Sequence, residues 1–474
     1  MLKVKNHDRR GHGFFSKNFV KKITLFKSNT MDIVKWSLIY FSENVYEVFL
    51  MEKYYRDTWV EVNLDDIRSN IHTFRKHIPE KTQIMAVVKA DGYGHGSIEV
   101  AREALAAGAT SLAVAFLDEG IVLRKAGITC PILILGYTPI SAVQKAYEWN
   151  ISCTVFQTNW IKKAEKIVNK KQGKKKVNKH GDQPDQDKKE VSIQGRKRLS
   201  VHINIDTGMG RIGVRTKKVL LSVVKGIYKS DVFQWDGVYT HFATADSQDI
   251  TYLNHQFERF QSYLEFLREK GYKLPAIHCC NTAATMTHPE WGFHFIRLGI
   301  GMYGLYPSVY LKSLNILNLK PALQVKTRVS NVVFMQKPFG IGYGVTYIAS
   351  PGEQIITLPI GYGDGFSRLL SNKGSVLLQG QRFSVVGRVT MDQCMVSVDK
   401  IKAKVGDEVV IYGRSGNEEI TLEEVAEQIG TINYEVACML NYRIPRVYIK
   451  QHKVVSVRNL LESINPKPRK HTEK

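Results

Sequence analysis

The sequence predicts an α/β fold, a (β/α)8 barrel followed by a mostly-β C-terminal domain. Three observations carry that expectation. Eight short β-branched runs alternate with helical stretches between residues 84 and 300, the pattern of a parallel barrel. The alternation then gives way to closely spaced short strands, which mark an all-β domain. No Gly-rich dinucleotide fingerprint follows the first run, which disfavours a doubly wound open sheet.

Taken in order, residues 1–50 have neither a helical nor a strand period and are expected to be a disordered extension or to lie upstream of the functional start. An ordinary domain begins at Met51, where "TWVEVNLDDIRSNIHTFRKHI" reads as a strand followed by an amphipathic helix. The eight barrel runs are "IMAVVKA", "SLAVAF", "PILILG", "CTVF", "LSVHINID", "DGVYTHFA", "AIHCC" and "FIRLGI". Among the helices between them are "GSIEVAREALAAGA", "LDEGIVLRKAG" and "LNHQFERFQSYLEFLREKGY", which bounds the barrel domain at 51–305. Inside it, residues 169–198 are rich in Lys, Asp and Gln and poor in apolar side chains. Such a composition cannot offset its ordering entropy, so a disordered surface insertion is expected.

Residues 306–460 contain "ALQVKTRVSNVVFM", "EQIITLPI", "GSVLLQGQRFSVVGRV", "QCMVSVD" and "DEVVIYG", the short strands of the second domain. One helix is expected there, "TLEEVAEQIG", opened by a threonine cap with glutamate three residues on. Residues 461–474 form a tail.

A chain of 474 residues with 43% hydrophobic and 23% charged residues has material for a sizeable core. The net charge of +23 raises the question of nucleic acid or an anionic membrane as partner. Its distribution argues against both: residues 1–50, 162–198 and 450–474 account for +19 of it, so the folded body is close to neutral. No aromatic residues interleave with the lysines of the insertion, as a single-strand binder would require. The six cysteines (Cys130, Cys153, Cys279, Cys280, Cys394, Cys438) have no CxxC spacing, so no metal site and a reducing compartment are expected. The apolar segment "IVKWSLIYFSENVYEVFL" carries Lys35, Glu43 and Glu47 and fails as a membrane span, and "KKITLF" is too short for a signal-peptide core. A cytoplasmic location follows.

Side chains at the C-terminal ends of barrel strands face the mouth where such folds do chemistry. Lys89 ends the first run, in "AVVKADGYGHG". Desolvation there depresses an amine's pKa and leaves a nucleophile able to form a Schiff base, although a lone lysine at a strand edge also fits simple snorkelling. The other strand ends supply His241, Asn281, Thr282, Arg297, Gly299 and Ile300, and Arg211 closes "IDTGMGR". Together they place donors and cations around one mouth, with Thr282 and Gly299 suited to a phosphate.

Nine motifs now stand in a single order: "AVVKADGYGHG", "DTGMGRIGV", "THFATAD", "CNTAAT", "IRLGIGMYGLYP", "IGYGVTY", "LPIGYGDG", "GRVTMDQ" and "TINYEV". In this the chain resembles the bacterial alanine racemases, pyridoxal-phosphate enzymes with a barrel and a β-domain, over residues 53–450. The resemblance implies a homodimer that interconverts L-alanine and D-alanine by two bases and supplies cell-wall precursors. Lys89 matches the lysine that holds pyridoxal 5'-phosphate and exchanges the Cα proton on one face; Tyr343 matches the tyrosine that the partner subunit contributes to the other.

Further positions carry over in the same way. His241 and Arg297 correspond to the hydrogen-bond chain that assists the tyrosine, and Arg297 also to the cation facing the cofactor's pyridine nitrogen. Arg211 corresponds to the arginine near the phenolic oxygen and the substrate carboxylate. Tyr93, Asn281, Thr282, Gly299, Ile300 and Tyr434 correspond to cofactor-binding positions, and Met391, Asp392 and Tyr362 to residues lining the substrate entrance from the partner subunit. One position departs from several family members: Asn204 stands where they have a carbamylated lysine, so one anion is missing beside Arg211. A chloride or another small anion near Asn204 and Arg211 is expected instead.

Three other readings belong to neighbouring classes. A barrel-type decarboxylase is disfavoured by arginine at 297, where a carboxylate is usual for that chemistry. A broader amino-acid racemase is disfavoured by the lack of an export signal, and a non-catalytic cofactor carrier by the presence of a β-domain bearing Tyr343.

Overall fold

The computed structural model describes the backbone of residues 54–177 and 197–461. The expected extension 1–50, most of the insertion and the tail beyond Leu461 lie outside the described residues. The described residues from Arg56 onward form one compact unit.

All eight expected barrel strands form: Gln83–Val87, Ser111–Val114, Ile132–Tyr137, Ser152–Val155, Leu199–Asn204, Phe233–Tyr239, Ala276–His278 and Phe295–Leu298. The first seven pair in sequence order, and the eighth pairs in parallel with the first. Backbone bonds from His294 N–H to Ile277 O (3.0 Å) and from Arg297 N–H to Cys280 O (2.9 Å) close the remaining seam. Ser111–Val114 and Ser152–Val155 are buried at every residue. Strands covered on both faces read as continuous apolar runs, which is why they stand out in the sequence.

The strand at Thr58–Asn63 corrects the expected division of the chain. It falls within the range assigned to the barrel, yet it lies in the eleven-stranded sheet of the second domain. There it pairs antiparallel with Leu323–Arg328 and parallel with Arg446–Lys450. Thr58–Val62 are all buried, so the strand needs a neighbour on each side. A closed barrel has no edge to offer, and the β-sheet does.

A second correction concerns the insertion. The helix Thr158–Val177 takes in its first residues, which were expected to lack structure. Buried Trp160, Ile161, Ala164 and Val168 anchor the helix, and the lysines and glutamine that follow are good helix formers that extend it cheaply.

In the β-domain, Leu323–Arg328 alternates buried and half-buried residues, the period of a sheet with one face on the core. The helix Leu422–Ile429 forms as expected, with the Thr421 side chain accepting from Glu424 N–H. A further helix, Asn433–Met439, follows it and was not anticipated. Among the described residues no helix is long and apolar enough to cross a membrane.

Candidate active site

The first barrel strand runs out into Val88 and Lys89, and the chain then makes a left-handed turn. Ala90, Asp91, Gly92 and Tyr93 have φ of 52°, 52°, 62° and 52°. Each L-residue held this way costs about 1–2 kcal/mol, so the surroundings must fix it. Gly92 N–H bonds Val88 O and Gly94 N–H bonds Ala90 O, both at 3.0 Å. One oxygen of Glu119 accepts Ala90 N–H at 2.7 Å and the other accepts Ala115 N–H at 2.7 Å. Nδ1 of His95 lies 2.9 Å from Tyr93 O; a carbonyl only accepts, so Nδ1 carries the proton. Burial holds that ring neutral, with its pKa pushed down to about 4. His95 is thus a support for the turn.

Lys89 itself sits in a half-desolvated mouth. Burial lowers its pKa, the Arg211 cation lowers it further, and Glu119 and Cys438 oppose both. The ammonium stands 5.9 Å from the centroid of the Tyr93 ring.

Beside it, at the end of the strand Phe295–Leu298 that pairs with the first strand, Thr282 Oγ1 accepts Gly299 N–H at 3.0 Å and Gly301 N–H at 3.5 Å. A Cβ on Gly299 would meet Tyr93 Oη at 2.9 Å, so a side chain there would have to push the Tyr93 phenol aside. Ile300 opens the 3-10 turn Ile300–Tyr303, and first-turn N–H groups have no acceptor within their own turn. Tyr434 packs its ring 6.1 Å from that of Tyr93. Phenol, hydroxyl and backbone donors converge here. Asn281 does a local job, with Oδ1 accepting Ala284 N–H at 2.9 Å to cap Thr282–Thr287, which leaves its amide nitrogen for a ligand.

Arg297, 3% exposed, holds the centre. Its guanidinium lies 2.9 Å from His278 Nδ1 and 3.1 Å from His241 Nδ1, and donates to Thr240 O (2.8 Å) and Cys279 O (2.9 Å). It stacks 5.2 Å from the Tyr239 ring. Guanidinium only donates, so both imidazoles accept through Nδ1 and, when neutral, carry their proton on Nε2. His278 relays that proton's hydrogen bond to His202 Nδ1 at 3.1 Å. Burial first, then the Arg297 charge, pushes His202 down to about 4 and His241 and His278 well below the usual imidazole range. Among the described residues no carboxylate contacts Arg297; its partners are two imidazoles and two carbonyls.

The loop "DTGMGR" is pinned by Asp206, which accepts Gly208 N–H (3.1 Å), Gly210 N–H (3.0 Å) and Arg215 Nε (2.8 Å). Arg211, at its end, is exposed and close enough for its charge to act on Lys89, His241 and Arg297. Asn204 is buried and bonds the Tyr239 side chain.

The β-domain residues assemble elsewhere. Tyr343, 73% exposed, begins the turn Tyr343–Val345 between the strands Phe339–Ile341 and Tyr347–Ala349. It shares a surface cleft with Val333, Phe339 and Met395 of its own domain and with no residue of the barrel mouth. Tyr362 N–H bonds Thr390 O at 3.0 Å and Gly363 N–H bonds Met391 O at 2.9 Å, tying the loops of Tyr362 and Met391 together. Arg443 donates to Asp392 at 2.6 Å.

The structure therefore gathers Lys89, Tyr93, Thr282, Arg297, Gly299 and His241 within one chain, with Arg211 in electrostatic range. Tyr343, Tyr362, Met391 and Asp392 stand on an exposed face. Glu119, His278, His202 and Tyr239 were not singled out from the sequence. His278 and Tyr239 end barrel strands, and Glu119 opens the helix after the second strand, so position alone could have flagged them.

A half-buried lysine of lowered pKa at one strand end of a barrel, a cradle of donors beside it and a buried cation that, among the described residues, has no counter-anion define a lysine-dependent barrel enzyme. The chain belongs to the alanine racemase family, and it is an isomerase. The family models "Alanine racemase, N-terminal domain" and "Alanine racemase, C-terminal domain" match residues 62–307 and 322–448. The chain is 52% identical to alanine racemase 2 of Bacillus subtilis over 409 residues, 86% of this chain and 98% of that one. It is 43% identical to the alanine racemase of Halalkalibacterium halodurans, covering 87% and 100% of the two chains. The crystal structure of alanine racemase from Bacillus anthracis with bound L-Ala-P superposes with a TM-score of 0.79 at 42% identity, covering 87% of this chain and 100% of that one.

Proposed function

We propose that this protein racemises alanine with pyridoxal 5'-phosphate by two bases, Lys89 and Tyr343 of the partner subunit, in a homodimer that supplies D-alanine for peptidoglycan in the cytoplasm. The observation that carries this reading is the buried Arg297, held by neutral acceptors and, among the described residues, by no carboxylate.

The residues fit the cofactor. Lys89 offers a depressed amine, Tyr93, Thr282, Gly299 and Ile300 would hold its phosphate, with Tyr434 and the Asn281 amide beside them, and Arg297 would face its ring nitrogen. When bound, the group supplies an aldehyde for an amine and a ring that draws electrons from the substrate's Cα–H bond. A permanent cation beside that nitrogen disfavours its protonation, which restrains electron withdrawal and the side reactions that stronger withdrawal permits.

Racemisation requires a proton to leave one face and return to the other, so one base on each face is needed. Lys89, whose pKa is lowered by burial and by Arg211, serves the first. A phenol is a weak acid that stays protonated at neutral pH, so a tyrosine needs help to serve the second. His241, protonated at Nε2, is a hydrogen-bond donor, and a donor to a phenol oxygen favours its ionised form. Arg211 would bind the substrate carboxylate with its planar fork, while Met391, Tyr362 and Asp392 of the partner subunit narrow the entrance. The exposed apolar side chains around Tyr343 (Val333, Phe334, Phe339, Val345 and Ile348) support burial of this face in a dimer. Six cysteines, all unpaired, suit a reducing compartment. A chloride or similar anion between Arg211 and Asn204 completes the reading; a bromide-soaked crystal without an anomalous peak there would remove that part.

The test is incubation with L-alanine in deuterium oxide. D-alanine carrying deuterium at Cα is the expected product. Carbon dioxide and an amine would instead identify a decarboxylase, and a coloured but inert protein a carrier.

A further inference from the structure

We propose that Asp91 and Arg458 form a positioning pair that sets the orientation of Lys89 by clamping the left-handed turn behind it. The inference rests on the role given to Lys89 above.

Arg458 ends the last strand of the β-domain, Lys453–Arg458. Its Nη1 donates to Asp91 Oδ1 at 2.8 Å and its Nη2 to Asp91 Oδ2, a two-point grip between residues 367 positions apart. Asp91 Oδ1 also accepts Ser97 N–H at 3.0 Å. Burial alone would raise the Asp91 pKa; the Arg458 hydrogen bond and charge overcome it and keep the carboxylate ionised. One strand away, the buried Arg446 donates from Nε to Gly94 O at 3.1 Å and from its other nitrogens to the carbonyls of Leu440, Asn441 and Ile444. The C-terminal strands thus hold the turn at its middle and at its end.

The turn needs holding because three of its four residues, Ala90, Asp91 and Tyr93, are non-glycine at positive φ. Released, Ala90 and Asp91 relax toward ordinary backbone angles, and Lys89, directly before them, swings with them. Tyr93, at the far end of the turn, leaves the Gly299 and Thr282 cradle.

The test combines Arg458→Ala, Arg458→Lys and Ala90→Gly, singly and with Arg458→Ala. Two quantities are measured: the affinity of the apoprotein for pyridoxal 5'-phosphate, and the pH profile of Lys89 acylation in the apoprotein, read by peptide mass spectrometry. Arg458→Ala is expected to weaken cofactor binding about tenfold or more and to move the midpoint of Lys89 acylation. Arg458→Lys recovers part of the loss, since an ammonium cannot make the two-point contact. Ala90→Gly in the Arg458→Ala background recovers most of it, since glycine takes positive φ freely. Should Arg458→Ala fail to fold, Arg458→Lys with and without Ala90→Gly decides the matter by the same two measurements. An unchanged acylation profile in the Arg458 variants, or no rescue by Ala90→Gly, overturns the pair's role. A wild-type protein that binds no cofactor while its acylation profile still responds to Arg458 overturns the functional reading and leaves the clamp standing.

Discussion

Nη2 of Arg297 lies 3.1 Å from Nδ1 of His241, and that contact sets the proton on the imidazole. Because the guanidinium can only donate, His241 has to accept at Nδ1 and present Nε2–H. The same logic runs through His278 to His202. A buried cation thereby fixes three tautomers, and burial together with its charge keeps three imidazoles neutral.

That arrangement makes the fold sensitive to acid. His95 and His202 have pKa values near 4 against an ordinary 6.5, and His241 and His278 lie well below it. The unfolded chain binds protons on these rings as pH falls below 6.5 while the folded chain does not, so stability drops as pH falls toward 4. Each such ring contributes a slope approaching 1.4 kcal/mol per pH unit within that window, as an order-of-magnitude figure. Urea unfolding at steps between pH 7 and pH 5, values spanning the fall expected from linkage, should show it, and His202→Gln should flatten the curve. Equal stability across the range would refute the assignment.

Lys89→Ala is expected to lose both the cofactor's near-visible colour and racemisation, the latter by about 10³-fold or more. Tyr343→Phe keeps the colour and loses activity. Since Tyr343 is 73% exposed, its loss should leave the unfolding free energy of the separated subunit within about 0.5 kcal/mol of wild type. Absorbance and a coupled D-alanine assay read both variants.

If each site combines Lys89 of one subunit with Tyr343 of the other, two dead variants should complement. Lys89→Ala and Tyr343→Phe chains, mixed, unfolded and refolded together, place an intact pair in about a quarter of all sites of a two-fold dimer. Recovery of activity on that order is expected from the mixture and none from either variant alone. A mixture as inactive as its parents would mean that both residues come from one chain.

Gly96 and Gly108 form a matched control for crowding. Their φ angles are 103° and 102°, but a Cβ on Gly96 would stand 1.8 Å from Tyr448 Oη while one on Gly108 meets nothing within 4 Å. Both alanine variants bear the left-handed backbone cost, and Gly96→Ala alone must also displace the buried Tyr448 ring. Gly96→Ala should therefore cost at least about 2 kcal/mol more than Gly108→Ala in thermal or chemical unfolding. Similar losses would show that the turn has room to move.

Much of the barrel was legible because parallel strands buried on both faces are continuous apolar runs, and their ends could be inspected for chemistry. Lys89, Thr282, Arg297 and Gly299 were found that way. The strand Thr58–Asn63 was recognised as a strand but placed within the barrel domain's range, because pairing partners are chosen by edge availability, which one segment does not reveal. The helix to Val177 was missed because composition reports on core-building capacity, whereas a helix already anchored by Trp160 and Ile161 needs only good formers to continue. His278, His202 and Glu119 carried no signal beyond position, since a buried imidazole relay and a carboxylate on a backbone N–H look like ordinary core and helix residues.

By itself the sequence determined which segments are buried strands, which residue ends each one and, through nine ordered motifs, which family the chain belongs to. The tertiary structure alone decided that the second domain begins with a strand from before the barrel, that Arg297 lies among neutral acceptors and that Arg458 reaches Asp91. Periodicity and motif order are local properties carried by the residues themselves. Partner choice for a charge or a strand edge depends on which distant segments the fold brings within three ångströms, and that is settled only when the whole chain has packed.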